Sequence, residues 1–247
     1  MILKAKKRYN RPFYKQFIKL RKNIQTRSKI FTFKKQKWSK LQTYSLKQLR
    51  FFKRYKFKDQ FSLEKYKFAS RGNSYKQRFK NNLIKIQLFK LFYGNLKKKY
   101  LKTHLNRIKK KSFHTLQLQN QKQHNILKFF ESRLDTILYR AKFCLSIKSA
   151  RQFILHGHVS VNNHIVKTSS YIIKNNDLIE ISKNEKSRQL VKKNIDRSNF
   201  WPIPPRYLHI NYKTFQVIVQ FANNPSFIPM FPFYLNLNSI ISNINRY

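Results

Sequence analysis

Acidic residues are scarce in this chain. Its 247 residues hold 8 Asp+Glu against 55 Lys+Arg, which gives a formal net charge of +47. Asp59 and Glu64 are the only acids before Glu131, so there is little material for an acid–base catalytic site. A compact chain with this charge repels itself, and binding to a polyanion relieves the repulsion and releases condensed counterions. The composition therefore favours nucleic acid as the partner.

Cysteine and glycine are also rare. The single Cys144 excludes an internal disulfide framework and a multi-cysteine zinc site, and His156 and His158 have no carboxylate or thiol at ligand spacing. We therefore expect no metal and no cofactor. With only 3 glycines, many turns must use asparagine, which tolerates left-handed backbone. Abundant Lys, Asn, Ile, Phe and Tyr, the residues of AT-rich codons, indicate a gene under AT pressure, as in many organelle genomes.

Long apolar runs are missing as well. Residues 214–245 carry no charge, but three prolines interrupt them and no run of about 18 apolar residues survives. The N-terminal segment has no apolar signal core, and its basic bias continues far along the chain, so we expect it to stay in the mature protein. We predict no membrane insertion.

The chain divides into four predicted segments. Residues 1–75 form a basic-aromatic extension, in which cations alternate with aromatic side chains as in chains that lie on RNA. Free in solution we expect it to be disordered, and bound to RNA we expect it to form helices and extended arms. Residues 76–130 predict a helical domain, because apolar residues recur near a 3.6 period on both sides of Gly94. Residues 131–183 form an ordered module. Residues 184–247 are a linker and C-terminal tail, which we expect to pack back on the helical domain.

The module at 131–183 predicts two short helices on a small antiparallel sheet. The stretch "RLDTILYRA" places apolar residues at i, i+3, i+4 and i+7, which is one helical face. Ser146 can cap a second helix, and Gly157 can end it. Two strand–turn–strand patterns follow, with turns at Asn162-Asn163 and at residues 175–177. A further alternating strand is predicted around residues 217–219.

Seven polar side chains of the module face outward once the apolar faces are turned inward, and we take them as candidate RNA contacts. They are Arg133, Arg140, Lys148, Arg151, Gln152, His156 and His158. Free backbone N–H groups at the start of the second helix add a phosphate seat beside Lys148. Arginines can hold phosphates with two hydrogen bonds, and Gln152 can read sugar or base edges. Ordinary solvated charges are the competing interpretation, which the scarcity of pairing acids disfavours.

Three stretches, in order along the chain, carry a family resemblance. "RLDTILYR", "SIKSARQFILHGHVSVNN" and "SYIIKNNDLIEIS" together resemble the S-four RNA-binding domain. "LFYGNL" at 91–96 resembles the Tyr-Gly helix break of the family of small-subunit ribosomal protein number four. "YLHINYKTFQVIV" at 207–219 is similar to a late strand of the mitochondrial members of that family. The resemblance covers residues 75–183 and 200–247.

The resemblance implies an α+β fold, with the RNA-binding module inserted in a mainly helical domain that the C-terminal tail completes. It implies a structural constituent of the small ribosomal subunit that binds small-subunit rRNA in its 5′ domain and supports subunit assembly and translation. Its partners would be neighbouring small-subunit proteins and, on the side where mRNA enters, mRNA. Its location would be the mitochondrial matrix, on the ribosome, encoded by the organelle, with a plastid less favoured. The zinc element of some bacterial relatives is replaced here by the basic extension.

Two alternatives stay open. Pseudouridine synthases carry the same module and a catalytic Asp within Arg-Leu-Asp, as at Arg133-Leu134-Asp135, but the residues that follow differ here and a catalytic domain is lacking. A non-ribosomal RNA-binding factor, acting in rRNA or tRNA rescue or processing, would need the module but neither "LFYGNL" nor the "INYKT" strand. We therefore expect no enzyme and no catalytic residue.

Overall fold

The computed structural model describes residues 14–20, 22–24, 28–54, 75–114, 119–197 and 204–221, together with positions 231, 233, 237 and 240. Residues 1–13 and 55–74 of the predicted extension, and nearly all of the predicted tail after residue 221, lie outside the described residues.

Within those ranges the chain forms eight α-helices and five strands, which confirms the α+β class. The helices are α1 (Tyr14–Leu20), α2 (Ser39–Arg54), α3 (Tyr75–Phe92), α4 (Lys98–His114), α5 (Gln119–Glu131), α6 (Leu134–Arg140), α7 (Ile147–Leu155) and α8 (Glu185–Arg197). The strands are β1 (Val159–Val161), β2 (His164–Ile165), β3 (Leu178–Ile181), β4 (Leu208–Asn211) and β5 (Gln216–Val219). Two 3-10 helices, Ser28–Thr32 and Gln36–Trp38, precede α2.

Helices α1 to α5 share one hydrophobic core, which we call the helical core. Phe89 of α3 and Phe130 of α5 are almost fully buried, and their rings meet edge to face with centroids 5.3 Å apart. Aromatic pairs prefer this geometry, which adds to the gain from burying their apolar surface. Four apolar side chains near the C-terminus join the same core: Phe231, Phe233, Leu237 and Ile240.

A second core, the sheet core, lies between α6, α7 and α8 and one face of an antiparallel sheet. The strand order is β2-β1-β3-β5-β4. Alternation along β5 shows which face is covered, because Val217 and Val219 are fully buried while Ile218 between them is 41% exposed. Apolar residues at every second position thus turn one face of the sheet toward the helices.

Strands β4 and β5 correct the expected packing of residues 184–247. We expected this segment to return to the helical domain, but β5 pairs with β3, placing Val217 opposite Ile179, and β4 pairs with β5. The physical reason is the edge of β3, whose backbone groups would stay unpaired without another strand. Within the described part of residues 184–247, the side chains that belong to the helical core all come after Phe221.

Residues 171–173, predicted as a strand of the sheet, pair instead with the start of α6. The Leu134 N–H donates to the Tyr171 carbonyl oxygen at 2.9 Å, and the Ile173 N–H donates to the Ser132 carbonyl oxygen at 2.8 Å. Apolar alternation predicted extended backbone correctly here but could not identify its partner.

The predicted turn and cap residues are confirmed. The Ser146 side chain accepts a hydrogen bond from the Ser149 N–H at 3.1 Å, which caps α7. Gly157, with φ +77°, ends that helix. Asn162 and Asn163, with φ of +48° and +67°, form the turn between β1 and β2. Asparagine therefore occupies left-handed positions that glycine usually fills.

Part of the predicted basic extension belongs to the helical core. Phe17, Ile24 and Ile30 are fully buried, and the side-chain amide of Gln42 in α2 donates to the carbonyl oxygens of Ile30 and Phe33 at 2.9 and 2.7 Å. Many lysines and aromatic residues lie between these apolar positions. The sequence therefore does not show clearly the helical spacing of the residues that are buried. These apolar residues of the extension are therefore part of the folded helical core.

Candidate nucleic-acid interface

Helix α7 presents its outward face beside the turn into the sheet. Its inward side chains, Ala150 and Ile154 among them, are fully buried in the sheet core. On the other side Gln152 and His156 are exposed and Lys148 is half-buried. This face carries hydrogen-bonding and cationic groups without a facing acid on the same helix, as expected of a surface for phosphate and sugar oxygens.

The corner after α7 adds two further exposed groups. Leu155 and Ile165 of β2 are 66% and 67% exposed. The Ile165 Cγ2 and the Lys167 Cε lie 3.6 and 3.7 Å from where a Cβ on Gly157 would stand, so β2 folds back over the end of the helix. Apolar groups flanked by lysine and histidine can contact sugar and base faces as well as phosphates.

His158 is half-buried and links the corner to α8. Its Nδ1 lies 3.1 Å from the Ser187 Oγ, and its ring centroid lies 4.9 Å from that of Phe153. The His156 ring stands 5.9 Å away and is exposed. Of the two predicted histidines, His156 therefore offers the freer surface. Among the described residues, no three His, Cys, Asp or Glu side chains group as metal ligands would.

Arg140 is not on this surface, which corrects the prediction that it faces outward. The residue is only 3% exposed, and its guanidinium donates from Nε and Nη2 to the two carboxylate oxygens of Glu131 at 2.9 and 2.8 Å. Its Cζ lies 4.9 and 5.2 Å from the ring centroids of Phe92 and Phe231. A buried charge needs a paired, hydrogen-bonded partner, and Glu131 is that partner.

Arg133 is also buried, at 4% exposure, so its predicted outward position is wrong too. It donates from Nε and Nη2 to the two oxygens of Asp135 at 3.0 and 2.8 Å, and from Nη1 to the Tyr100 hydroxyl at 2.7 Å. The pair at i and i+2 forms because the backbone at Arg133 is extended before α6 begins. A planar guanidinium suits this two-point contact with a carboxylate.

Arg151 joins the same carboxylate from α7 and is 28% exposed. Its Nε donates to the Asp135 Oδ2 at 2.7 Å, while Nη1 and Nη2 donate to the carbonyl oxygens of Gly94 and Tyr93 at 2.8 and 2.7 Å. A Cβ on Gly94 would stand 2.9 Å from the Arg151 Cζ, so only glycine lets the arginine approach this turn. We call Glu131, Asp135 and their arginines, Arg133, Arg140 and Arg151, the carboxylate junction.

Two tyrosines connect the carboxylate junction to both cores. The hydroxyl of Tyr93, from the helical core, donates to the Glu131 Oε1 at 2.6 Å, and that of Tyr207, from the sheet core, donates to Oε2 at 2.6 Å. Burial raises the pKa of both tyrosines, and the negative charge of Glu131 raises it further. Both phenols therefore remain donors. Burial by itself would lower the pKa of Arg140, but Glu131 outweighs it and the pKa is raised.

Comparison with known proteins identifies the family. Residues 132–179 match the S4 domain. The chain is 33% identical to "Small ribosomal subunit protein uS4m" of Reclinomonas americana over 174 residues, 68% of this chain and 66% of that protein. It is 33% identical to "Small ribosomal subunit protein uS4" of Pelagibacter ubique over 162 residues, 65% of this chain and 73% of that protein. For the uS4m protein of Marchantia polymorpha the identity is 30% over 168 residues, 67% of this chain and 79% of that protein.

The chain belongs to the uS4 family of small ribosomal subunit proteins. This confirms the resemblance to the mitochondrial type. The matched region spans slightly less than two thirds of the Reclinomonas protein, and 47% of the uS4 protein of Brucella anthropi. Since uS4 proteins are constituents of the ribosome, the expectation that the chain is not an enzyme is confirmed as well.

The geometry of this uS4 chain agrees with that conclusion. The Asp135 of the Arg-Leu-Asp tripeptide is fully buried and accepts from two arginines and from the Thr136 hydroxyl, so no substrate atom can reach it. Burial raises the pKa of the Cys144 thiol to about 12, so it stays protonated and unreactive near neutral pH. Within the described ranges, no helix is both long and apolar enough to cross a membrane.

Exposed cations extend the candidate surface beyond the S4 domain. Four basic side chains just before and within the start of α4 are exposed: Lys97, Lys98, Lys99 and Lys102. They follow directly on the Gly94 turn, to which Arg151 of α7 is hydrogen-bonded. The lysines of the helical domain and Arg151 of the S4 domain thus adjoin the same turn. The apolar periodicity predicted a helix after Gly94, but not that Arg151 is hydrogen-bonded to the turn that precedes it.

Proposed function

We propose that the chain binds small-subunit rRNA as a structural constituent of the mitochondrial small ribosomal subunit. The observation that carries the proposal is the outward face of α7, with Gln152 and His156 exposed beside Lys148, on a chain of net charge +47. Membership of the uS4 family supports it. The mechanism is neutralisation of phosphates, with counterion release, together with shape-fitted contacts and no catalysis.

The side chains proposed to contact RNA are those of α7 and its corner. Lys148 binds a phosphate, Gln152 reads a sugar or base edge, and His156 adds hydrogen bonds at the end of the helix. His158 supports the corner from its contact with Ser187. Arg151 is partly exposed and can meet a phosphate with its outer edge. Arg133 and Arg140 act through the carboxylate junction instead of touching RNA.

We propose that the rRNA contact lies in the 5′ domain, that the protein supports subunit assembly and translation, and that it sits among neighbouring small-subunit proteins on the side where mRNA enters. The uS4m relatives support a mitochondrial location. Composition typical of AT-rich codons supports a gene in the organelle, with a plastid as the competing location.

Crosslinking in the native organelle, followed by sequencing of the attached RNA, tests the proposal. Reads concentrated in the 5′ domain of small-subunit rRNA are the expected result. Reads dominated by transfer RNA or by large-subunit fragments would instead indicate a non-ribosomal RNA-binding factor. That alternative is disfavoured because the alignments with uS4 proteins extend over 162 residues or more, well beyond the S4 domain.

A further inference from the structure

A cleft of ≈ 230 Å³ lies between α1 and the end of α3. Its two walls carry the same residue pattern, "QFIKL" at 16–20 in α1 and "QLFKL" at 87–91 in α3. In each pattern the Gln, Lys and Leu stand at i, i+3 and i+4, which is one face of a helix. The side chains that line the walls are Gln16, Lys19, Leu20, Gln87, Lys90 and Leu91.

The two walls give the cleft an apolar floor and a polar rim. Leu20 and Leu91 are 8% and 4% exposed, whereas Gln16 and Gln87 are exposed. Asn95, held in left-handed backbone with φ +60°, contributes a third amide at one end. Within the part of the chain that the structure describes, these three amides make no side-chain hydrogen bond with another residue. Their donors and acceptors are available to a ligand.

We propose that this cleft seats one unpaired RNA nucleotide, an inference that rests on the proposed rRNA binding. An unstacked base has two apolar faces and a polar edge. Leu20 and Leu91 in the floor would contact one face of the base, while the glutamine amides, each with donors and an acceptor, would hydrogen-bond its edge. Lys19 and Lys90 would meet the phosphates on either side of the nucleotide.

Other occupants fit the cleft less well. A duplex backbone needs charge along a groove and gains nothing from a floor of two leucines. An acidic peptide would satisfy the two lysines, but it would supply little apolar surface to the floor. An extruded nucleotide uses the leucines, the amides and the lysines together. This inference also gives α1 a role beyond neutralising charge, because it forms half of a specific site.

The first test measures the affinity of the full chain for a transcript of the small-subunit rRNA 5′ domain from the same genome. Gln16→Ala/Gln87→Ala should weaken binding by about tenfold or more, because two base-edge contacts are lost, and should leave the salt slope unchanged. Gln189→Ala removes an exposed amide of α8 and should change nothing. Circular dichroism of each variant confirms equal helix content.

The outcomes separate the two proposals. If the unsubstituted chain does not bind the transcript, the proposed function fails. If it binds and the double variant binds equally tightly, the cleft inference alone is overturned.

A second test replaces Gln87 by the photoreactive p-benzoylphenylalanine in the full chain bound to the same transcript and then in native subunits. Crosslinking to one unpaired nucleotide is expected. Crosslinks spread along a duplex, or made mainly to another protein, would overturn the inference.

Discussion

Arg151 of the S4 domain donates from Nη1 to the carbonyl oxygen of Gly94 at 2.8 Å, in the turn that ends α3. This contact joins two modules with separate hydrophobic cores. A backbone carbonyl accepts the bond, so the arginine fixes the path of the turn and not merely a side chain. The lysines of α4 and the outward face of α7 are thereby held at a fixed spacing, as recognition of a folded RNA requires.

Glu131→Gln should strongly destabilise the fold. It leaves the buried Arg140 without a countercharge, and breaking a buried pair in this way costs about 3–5 kcal/mol. The free energy of unfolding, from urea titration followed by circular dichroism, measures the loss. Glu185→Gln changes an exposed carboxylate of α8 and should fall within about 0.5 kcal/mol of the original chain. Equal effects of the two substitutions would refute the importance of the buried pair.

Gly94→Ala and Gly157→Ala form a matched pair. Both glycines have positive φ, so both substitutions pay about 1 kcal/mol for left-handed backbone. Only at Gly94 does the new Cβ collide with the Arg151 guanidinium, so that variant should lose about 1–3 kcal/mol more.

A double-mutant cycle separates the collision from the backbone cost. In an Arg151→Ala background the extra loss at Gly94 should disappear. If Gly94→Ala costs no more than Gly157→Ala in the original chain, Arg151 does not depend on the glycine.

Stability should rise between about pH 8 and 9 because of Lys142. Burial, and then the positive charge of Arg140, lowers the pKa of Lys142 from 10.5 to about 8. In this window the unfolded chain binds more protons than the folded one, so the free energy of unfolding increases with pH. Above about pH 9 the rise should level off, because the Cys144 thiol ionises in the unfolded chain while its raised pKa keeps it protonated in the fold.

Urea midpoints across this range, for the original chain and for Lys142→Met, measure the effect. The methionine variant should lack the rise. A rise of the same size in both chains would assign it to another group.

Lys148→Ala and Gln152→Ala should affect RNA binding in different ways. Loss of a phosphate contact by Lys148 should flatten the dependence of log affinity on log salt by about 0.7–1 unit. Loss of an uncharged contact by Gln152 should lower the affinity and leave the slope as it was. Filter binding at several salt concentrations distinguishes the two. An unchanged slope for Lys148→Ala, with an intact fold, would move the RNA face elsewhere.

Local signals predicted much of this fold. Ser146, Gly157 and the Asn162-Asn163 turn act within a few residues of the chain, so the sequence around them suffices. The sheet partner of β5 was not predictable in this way, because pairing joins residues far apart in the chain.

The buried positions of the module's arginines depend both on nearby carboxylates and on residues far away in the chain. Scarcity of acids suggested that Arg133 and Arg140 face RNA, but each of the two carboxylates at the start of the module is taken by an arginine within ten residues along the chain. The available signal was the spacing of Glu131 and Asp135 from those arginines. What it could not reveal is the contribution of Tyr93 and Tyr207, which come from other modules and make burial tolerable.

The hydroxyl of Tyr207 bears on how the chain is made. A ribosome synthesising this protein completes the S4 domain's sequence before Tyr207 and β5 exist, so the nascent module has an open edge on β3 and a Glu131 oxygen that lacks one donor. Such an incomplete module should remain loosely packed until the later strands arrive. Translation that stops early would then yield a product that proteases can recognise, and only finished chains would go on to join a subunit.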